Sequence, residues 1–221
     1  MPEKTSADGG LLLIELVGPL VDGRANVAGA LGDGLGGRGV ELRPGALDQV
    51  GGMALPHAIR TLLEGHGRHD LLDESDELEL ETERALAAWA ATGPVLAADG
   101  ALDGWRHLAA AGRPLAVLTA LPLDAAVRLA ERIGLVVHET EWLVAADGQG
   151  TPRADHLSGY LAGRPTTALV GSIGAALATA AAGCHEVIAV GNDRGAVMLA
   201  DRSVPAIGGP GTPFWAAVRG E

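Results

Sequence analysis

Short apolar runs alternate with helical patterns along most of the chain, and this alternation limits the fold more than any other feature. From Ala101 onward the runs are a few residues long and are separated by segments of helical length. Such a pattern is typical of a parallel sheet whose faces are covered by helices. With a further run at residues 11–17, it predicts about five strands. The other runs cover residues 115–119, 167–171, 187–191 and, as the weakest, 204–207.

Two segments between these runs have the features of helices that cover a sheet. Residues 123–133 place apolar side chains on one face, and Gly134 is a C-terminal stop signal. Residues 173–183 are almost wholly apolar, which predicts a helix buried against the sheet. The predicted fold class is therefore α/β, with a doubly wound parallel sheet.

The segment from about residue 26 to residue 92 contains no strand-like run. Residues 55–64 and 78–89 have the clearest helical period. An all-helical insertion between the first and second strands indicates a second, smaller domain. The sequence thus predicts an α/β core domain at 1–22 and 95–221 and a helical cap domain at 23–94.

Composition and charge restrict the partners of this chain. The formal net charge is -12 and aromatic residues are only 3% of the total, so we expect neither nucleic acid nor an anionic membrane surface as a partner. The longest apolar run is too short to span a bilayer, and the first ten residues lack the pattern of a signal peptide. The single Cys184 forms no internal disulfide, so a cytoplasmic location is expected.

The first apolar run is interrupted by one carboxylate, Glu15, and ends in a Gly18-Pro19 turn. In its order of motifs the chain resembles the haloacid dehalogenase superfamily, in particular its phosphoglycolate phosphatase and phosphonatase branch. The resemblance rests on this run, on the helical insertion, and on the runs that end at Thr119 and at Gly171. It extends over nearly the whole chain and implies a Rossmann-like core with an inserted cap.

The same resemblance identifies positions where the family's phosphohydrolase chemistry is missing. The family's first motif reads Asp-x-Asp-Gly-Thr, in which the first Asp is the nucleophile and the second is the general acid. Here Glu15 replaces the first Asp, Val17 replaces the second Asp, and Pro19 replaces the Thr. Glutamate is one methylene longer than aspartate, and a misplacement of roughly 1 Å can cost about 100-fold in rate. Valine carries no proton to donate. The first motif therefore predicts weakened or absent catalysis.

The other motifs are retained only in part. Thr119 matches the family's phosphate-binding hydroxyl, although a threonine at a strand end also caps turns. Thr151 stands where the family has its lysine, and Arg153 is the nearest cation, although a solvated arginine at a helix start is the alternative. The fourth motif reads Gly171-Ser172 and lacks the family's acidic residues. No metal site is predicted, because Mg²⁺ requires several hard oxygen ligands.

Four other features have structural interpretations that outweigh the functional ones. Asn192 and Asp193 fit a polar turn after a strand better than a ligand site. The Gly-rich stretch 32–37 lies in the helical insertion, so it is expected to loosen or end a helix. The acidic run at 70–83 is expected to be a solvated face, and the seven histidines lack metal-ligand spacing.

We therefore expect a non-catalytic protein that binds a small ligand or acts as an accessory to another protein. Its partner would be a small anionic ligand or a protein, and Thr119, Arg153 and Ser172 would hold the anion with the help of helix N-termini. The alternative is a divergent hydrolase of a small phosphate ester or phosphonate. In that alternative Glu15 is the nucleophile or base and Arg153 is its cationic partner. No cofactor is predicted, and a role for Mg²⁺ is compatible only with this alternative.

Overall fold

The structure is a computed structural model that describes residues 10–136, 141–144 and 153–205. Six parallel strands form one sheet in the order β5-β4-β1-β6-β7-β8, and two short antiparallel strands, β2 and β3, form a ribbon beside it. The strands are β1 (Leu11–Glu15), β2 (Val21–Asp22), β3 (Leu96–Ala97), β4 (Leu115–Thr119), β5 (Glu141–Val144), β6 (Thr166–Val170), β7 (Glu186–Val190) and β8 (Arg202–Val204).

Strand β1 lies in the middle of the sheet, between β4 and β6, and all five of its residues are buried. Leu12 and Ile14 pack into the core layer on one face of the sheet, and Leu11 and Leu13 pack into the layer on the other. Burial on both faces explains why the strand is a continuous apolar run rather than an alternating one.

Helices cover both faces of the sheet, which confirms the prediction of a doubly wound α/β fold. Side chains of α5 and α6 pack into the first core layer, and those of α8 and α9 pack into the second. Within the described ranges, no helix is both long and apolar enough to cross a bilayer. The helices outside the insertion are α5 (Ala101–Ala110), α6 (Leu123–Ile133), α7 (Arg153–Leu161), α8 (Ile173–Ala181) and α9 (Arg194–Leu199).

The chain between β2 and β3 is helical, as predicted, and is called the helical insertion below. Its hydrophobic side chains belong to the same buried cluster as Leu12 and Ile14 of the sheet. The division into a core domain and a cap domain stays a prediction. The insertion contains α1 (Arg24–Gly37), α2 (Ala46–Gln49), α3 (Leu55–Gly65), a 3-10 helix (His69–Glu74) and α4 (Ser75–Thr92).

Several sequence details are confirmed. Gly134 adopts φ of 84° and ends α6 with a backbone bond from its N–H to the Glu131 carbonyl at 2.9 Å. Helix α1 ends at Gly37, within the glycine-rich stretch. Part of the acidic run is paired rather than only solvated, because Arg38 at the end of α1 forms ion pairs with Glu74 and Glu81.

Four strands differ from the sequence-based prediction. Strand β5 is missing from it because Glu-Trp-Leu-Val is too short and too mixed to stand out as an apolar run. The ribbon of β2 and β3 has only two residues in each strand, so it has no readable period. Strand β8 begins at Arg202, two residues before the predicted run, and residues 206–207 of that run lie outside the described residues.

Trp89 links both chain segments that connect the insertion to the rest of the fold. A Cβ atom on Gly23 would lie 2.5 Å from its ring, and one on Gly93 would lie 2.4 Å from it. Its indole nitrogen donates to the Pro94 carbonyl at 3.0 Å. From α6, Arg132 donates to the carbonyls at the end of α4, namely Trp89 (3.2 Å), Ala90 (3.0 Å) and Gly93 (2.7 Å). These contacts fix the insertion at its base.

We expect Arg132→Met to lower the free energy of unfolding by about 1 to 2 kcal/mol, because charge-assisted bonds to three helix-terminal carbonyls are lost. Arg128→Met, one turn earlier on the exposed face of the same helix, is the matched control and should change stability by less than about 0.5 kcal/mol. Urea titration of both variants gives the comparison. Equal losses in the two variants would contradict this role of Arg132.

Cys184 follows α8 and packs against the second core layer. Burial raises the pKa of its thiol to about 11, because the thiolate is poorly solvated there. At pH 8 we expect its reaction with a disulfide reagent to be roughly 100-fold slower in the folded protein than in urea, since only thiolate reacts. Equal rates in the two states would show that the thiol is solvated.

Candidate functional site

The crevice that the fold offers for a ligand lies at the carboxyl ends of β1 and β6. The strand order reverses there, because β4 and β5 extend the sheet on one side of β1 while β6, β7 and β8 extend it on the other. Ligands of open α/β sheets bind at such a switch point. Glu15 ends β1 and Gly171 follows β6, so the sequence-predicted first and fourth motifs are neighbours.

Glu15 is buried, with 3% of its surface exposed, and its carboxylate is held by donors that follow β6. The Gly171 N–H donates to Oε2 at 2.7 Å, and the Ser172 hydroxyl donates to Oε1 at 2.5 Å. These bonds place one donor on each carboxylate oxygen, which offsets part of the cost of burying a charge. The carboxylate therefore cross-links the ends of two neighbouring strands.

Ser172 has a second bond that fixes its orientation. It is the N-cap of α8, and its Oγ accepts from the Ala175 N–H at 3.3 Å. The preceding amide of the same helix, that of Gly174, donates to the Gly51 carbonyl at 2.8 Å. Two of the amides that would bind an anion at this helix start are thus bonded within the protein.

The loop that supplies the Gly51 carbonyl lies directly over these groups. A Cβ atom on Gly52 would lie 1.8 Å from Ser172 Oγ and 2.8 Å from Glu15 Oε1. A Cβ atom on Gly174 would lie 2.5 Å from the backbone of Gly52 and Met53. Only glycine allows the two backbones to approach this closely. The loop 51–53 of the helical insertion therefore closes the crevice over Glu15.

Thr119 lies where the sequence predicts it, at the end of β4, and is 1% exposed. Its Oγ accepts from the Leu121 N–H at 3.1 Å, so the side chain caps the turn that follows β4. It also lines the same cavity as Glu15 and Ser172. The structure therefore brings three of the four predicted site residues together.

The role of Arg153, the fourth predicted site residue, stays a prediction. It begins α7, and its side chain lies outside the described residues. Asp193, interpreted above as part of a turn, is the N-cap of α9, and its Oδ1 accepts from the Ala196 N–H at 2.8 Å. Asp193 also lines the cavity beside Glu15, so both interpretations of this residue apply.

The cavity over Glu15 has a volume of about 90 Å³. This is space for a few water molecules, well below the usual size of a small-molecule site. Its wall is mainly apolar and also includes polar and charged groups. The apolar part includes Val17, Val27, Leu31, Leu47, Val50, Met53, Leu55 and Leu121, and the charged part consists of Glu15, Asp48, Asp193 and Arg24.

Arg24 is a site residue that the sequence analysis missed. It is the first residue of α1, and its Nη2 donates to the Val190 carbonyl at the end of β7 at 3.0 Å. Its side chain lines both the cavity over Glu15 and a larger open cleft on the other side. No sequence signal marks it, because an arginine at a helix start has the pattern of an ordinary surface residue.

The donor set does not fit Mg²⁺, the ion that the fold resemblance implies. Among the described residues, no three His, Cys, Asp or Glu side chains lie close enough to hold a metal ion together. Glu15 has a donor on each oxygen, and Ser172 and Val17 supply no carboxylate. An arginine side chain is also part of the cavity wall. Mg²⁺ prefers several oxygen ligands in octahedral geometry, which this arrangement does not provide.

Solved structures with the same fold include several hydrolases and a mutase. A hydrolase from Pseudomonas syringae aligns with a TM-score of 0.77 at 15% identity, over 94% of this chain and 96% of its own. β-Phosphoglucomutase from Clostridium difficile aligns with a TM-score of 0.75 at 12% identity, over 96% and 97%. A haloacid dehalogenase-like hydrolase from Streptococcus pneumoniae aligns with a TM-score of 0.65 at 15% identity, over 88% and 92%.

No protein-family model and no curated protein sequence matches the chain. The structural matches cover nearly the whole of both chains, with identities below 20%. Likeness at this level concerns the fold. The haloacid dehalogenase-like fold that the sequence predicts is therefore confirmed.

The contact between the loop 51–53 and Glu15 predicts a difference between two glycines with the same φ value. Gly52 and Gly39 both have φ of 70°, but a Cβ atom on Gly39 meets nothing within 4 Å. Gly39→Ala should cost about 1 kcal/mol, through backbone strain alone. Gly52→Ala should cost about 1 to 3 kcal/mol more, because the new methyl collides with Ser172 and Glu15.

Thermal and urea unfolding of the two variants measure this difference. A limited proteolysis time course should also show faster cleavage within residues 50–53 in Gly52→Ala. Equal stabilities would mean that the loop does not rest on Glu15 in solution.

Proposed function

We propose that this chain, which has the fold of haloacid dehalogenase-like hydrolases, is a non-catalytic protein that binds a small ligand at the carboxyl edge of its sheet. The observation that carries the proposal is the bonding of Glu15. Its Oε2 accepts from the Gly171 N–H at 2.7 Å and its Oε1 accepts from the Ser172 hydroxyl at 2.5 Å, beneath the loop 51–53.

A nucleophilic carboxylate must present one oxygen in line with the reacting atom of its substrate. The bonds to Glu15 instead direct its oxygens toward the segment after β6. Donors on both oxygens also stabilise the negative charge, which makes a carboxylate a weaker nucleophile. The arrangement favours a structural role for Glu15, in which it joins β1 to β6.

The other parts of a phosphoryl-transfer site are also weakly supported. Val17 lines the cavity where a general acid is required and has no proton to give. The amides of Gly171, Gly174 and Ala175 bond to groups of the protein itself. A dianionic substrate would have to displace these bonds in a cavity that already contains three carboxylates.

Binding remains supported because the crevice has not been filled by side chains. Besides the small cavity over Glu15, an open cleft of about 480 Å³ lies on the other side of Arg24, and this volume is within the usual size range of small-ligand sites. The second candidate function is a divergent hydrolase that acts on a phosphate ester through Glu15. It is favoured by the presence of Glu15, Thr119 and Ser172 on one cavity wall.

A panel of phosphate monoesters, measured with and without Mg²⁺, separates the two functions. We expect no turnover above that of Glu15→Gln in either condition, and no rise in melting temperature with Mg²⁺. Glu15→Gln should instead lower the free energy of unfolding by about 1 to 3 kcal/mol, because an amide group then faces a backbone N–H or a hydroxyl donor. Magnesium-dependent hydrolysis that disappears in Glu15→Gln would establish the hydrolase.

A further inference from the structure

The side chain of Arg24 is only partly used by the residues that the structure describes. Its Nη2 donates to the Val190 carbonyl at 3.0 Å. Its Nε is buried and has no hydrogen-bond partner in the described part of the chain. A buried charged donor without an acceptor costs free energy, because its interaction with water has been lost and not replaced. Such a group requires an explanation, and an acceptor supplied by a bound ligand or water is one.

Three glycines at strand ends make room for this guanidinium. A Cβ atom on Gly18, Gly171 or Gly191 would lie 2.8, 2.5 or 3.2 Å from its nitrogen atoms. These glycines follow β1, β6 and β7, so the cation lies across the carboxyl edge of the sheet. Gly18 and Gly191 also have positive φ values, of 104° and 97°, which glycine adopts without strain. The backbone is thus shaped around Arg24.

The guanidinium forms part of the wall of the open cleft, which is called the outer cleft below. Asn192 lies on the same side and offers an amide donor. Asp22 of β2 and Asp99 after β3 provide carboxylates, and both are exposed. Apolar groups complete the lining, namely Pro19, Leu96, Ala97, Ala98, Val190 and Pro205. The outer cleft therefore combines a cation, an amide, two anions and an apolar surface.

We propose that the outer cleft binds a small zwitterion, an α-amino acid with an apolar side chain. Its carboxylate accepts hydrogen bonds from Arg24 and from the Asn192 amide, since a guanidinium matches a carboxylate better than any other side chain does. Its ammonium group faces the carboxylates of Asp22 and Asp99. Its side chain lies on the apolar lining. The donors in the lining then face the ligand's carboxylate, and the carboxylates in the lining face its ammonium group.

A phosphate is a poorer match to the same lining. The amides of Gly18 and Gly191 donate to the Val21 carbonyl at 2.7 Å and to the Val204 carbonyl at 2.9 Å, so they are not available to an oxyanion. One guanidinium would have to balance a dianion beside two carboxylates. A zwitterion has no net charge, so the excess negative charge of the chain does not repel it.

The proposal rests on the non-catalytic binding function and names its ligand class and its place. The probes are L-leucine, 4-methylpentanoate, which lacks its ammonium group, and 3-methylbutylamine, which lacks its carboxylate. Inorganic phosphate is the fourth probe. Titrations followed by amide NMR spectra of the labelled full chain give the affinity and the binding place. We expect L-leucine to bind about tenfold more tightly than any other probe, with shifts at residues 18–24, 96–99 and 190–192.

Variants of the cleft separate binding from folding. Arg24→Met should weaken L-leucine binding about tenfold or more, and Arg24→Lys should restore it only in part, because lysine keeps the charge without the fork of donors. Asp99→Asn, at an exposed position, should weaken binding several-fold without affecting the fold. Arg60→Met on the exposed face of α3 is the matched control and should bind as the parent does.

The zwitterion site would be overturned if all four probes bound equally or if phosphate bound most tightly. It would also be overturned if L-leucine showed no binding at a concentration of about 20 mM, which corresponds to a Kd far above 1 mM. These results would leave the non-catalytic function standing. Turnover of a phosphate ester would overturn that function instead, and the binding titrations would still report on the outer cleft. Unchanged L-leucine binding in both Arg24→Met and Asp99→Asn would also refute the site.

Discussion

The buried carboxylate of Glu15 is the constraint on which the carboxyl edge of the sheet depends. Within a nearly apolar strand it is the one charged side chain, and it is stable there because Gly171 and Ser172 each donate to one of its oxygens. The same serine caps α8, so one network joins β1, the segment after β6, and a helix. A side chain that resembles a nucleophile in sequence thus acts as a cross-link in the structure.

The helical insertion adds a further contact to this network. The loop 51–53 contributes a carbonyl to the start of α8, and glycines on both sides of the contact allow the backbones to meet. Where the insertion joins the rest of the fold, Trp89 and Arg132 hold the connecting segments. The crevice is consequently divided into a small cavity and the larger outer cleft, and Arg24 lines both. Their volumes, about 90 and 480 Å³, differ about fivefold.

The sequence predicted the central strands well because their apolar runs are continuous, which reflects burial on both faces. It could not predict β5 or the ribbon of β2 and β3, since pairs this short carry no period. At the site, positions were predictable from motif order, and Glu15, Thr119 and Ser172 do line one cavity. The bonds of Glu15 were not predictable, because its partners Gly171 and Ser172 lie 156 and 157 residues away in sequence. Arg24 was missed for the same reason, since only the three-dimensional arrangement of glycines marks it.

The most direct test of the structural role of Glu15 is a crystal structure determined from a solution that contains Mg²⁺ and beryllium fluoride, a mimic of a phosphorylated carboxylate. We expect the Glu15 oxygens within hydrogen-bond distance of Gly171 N and Ser172 Oγ, with neither ion bound to them. Beryllium fluoride attached to Glu15, with Mg²⁺ coordinated beside it, would contradict the account.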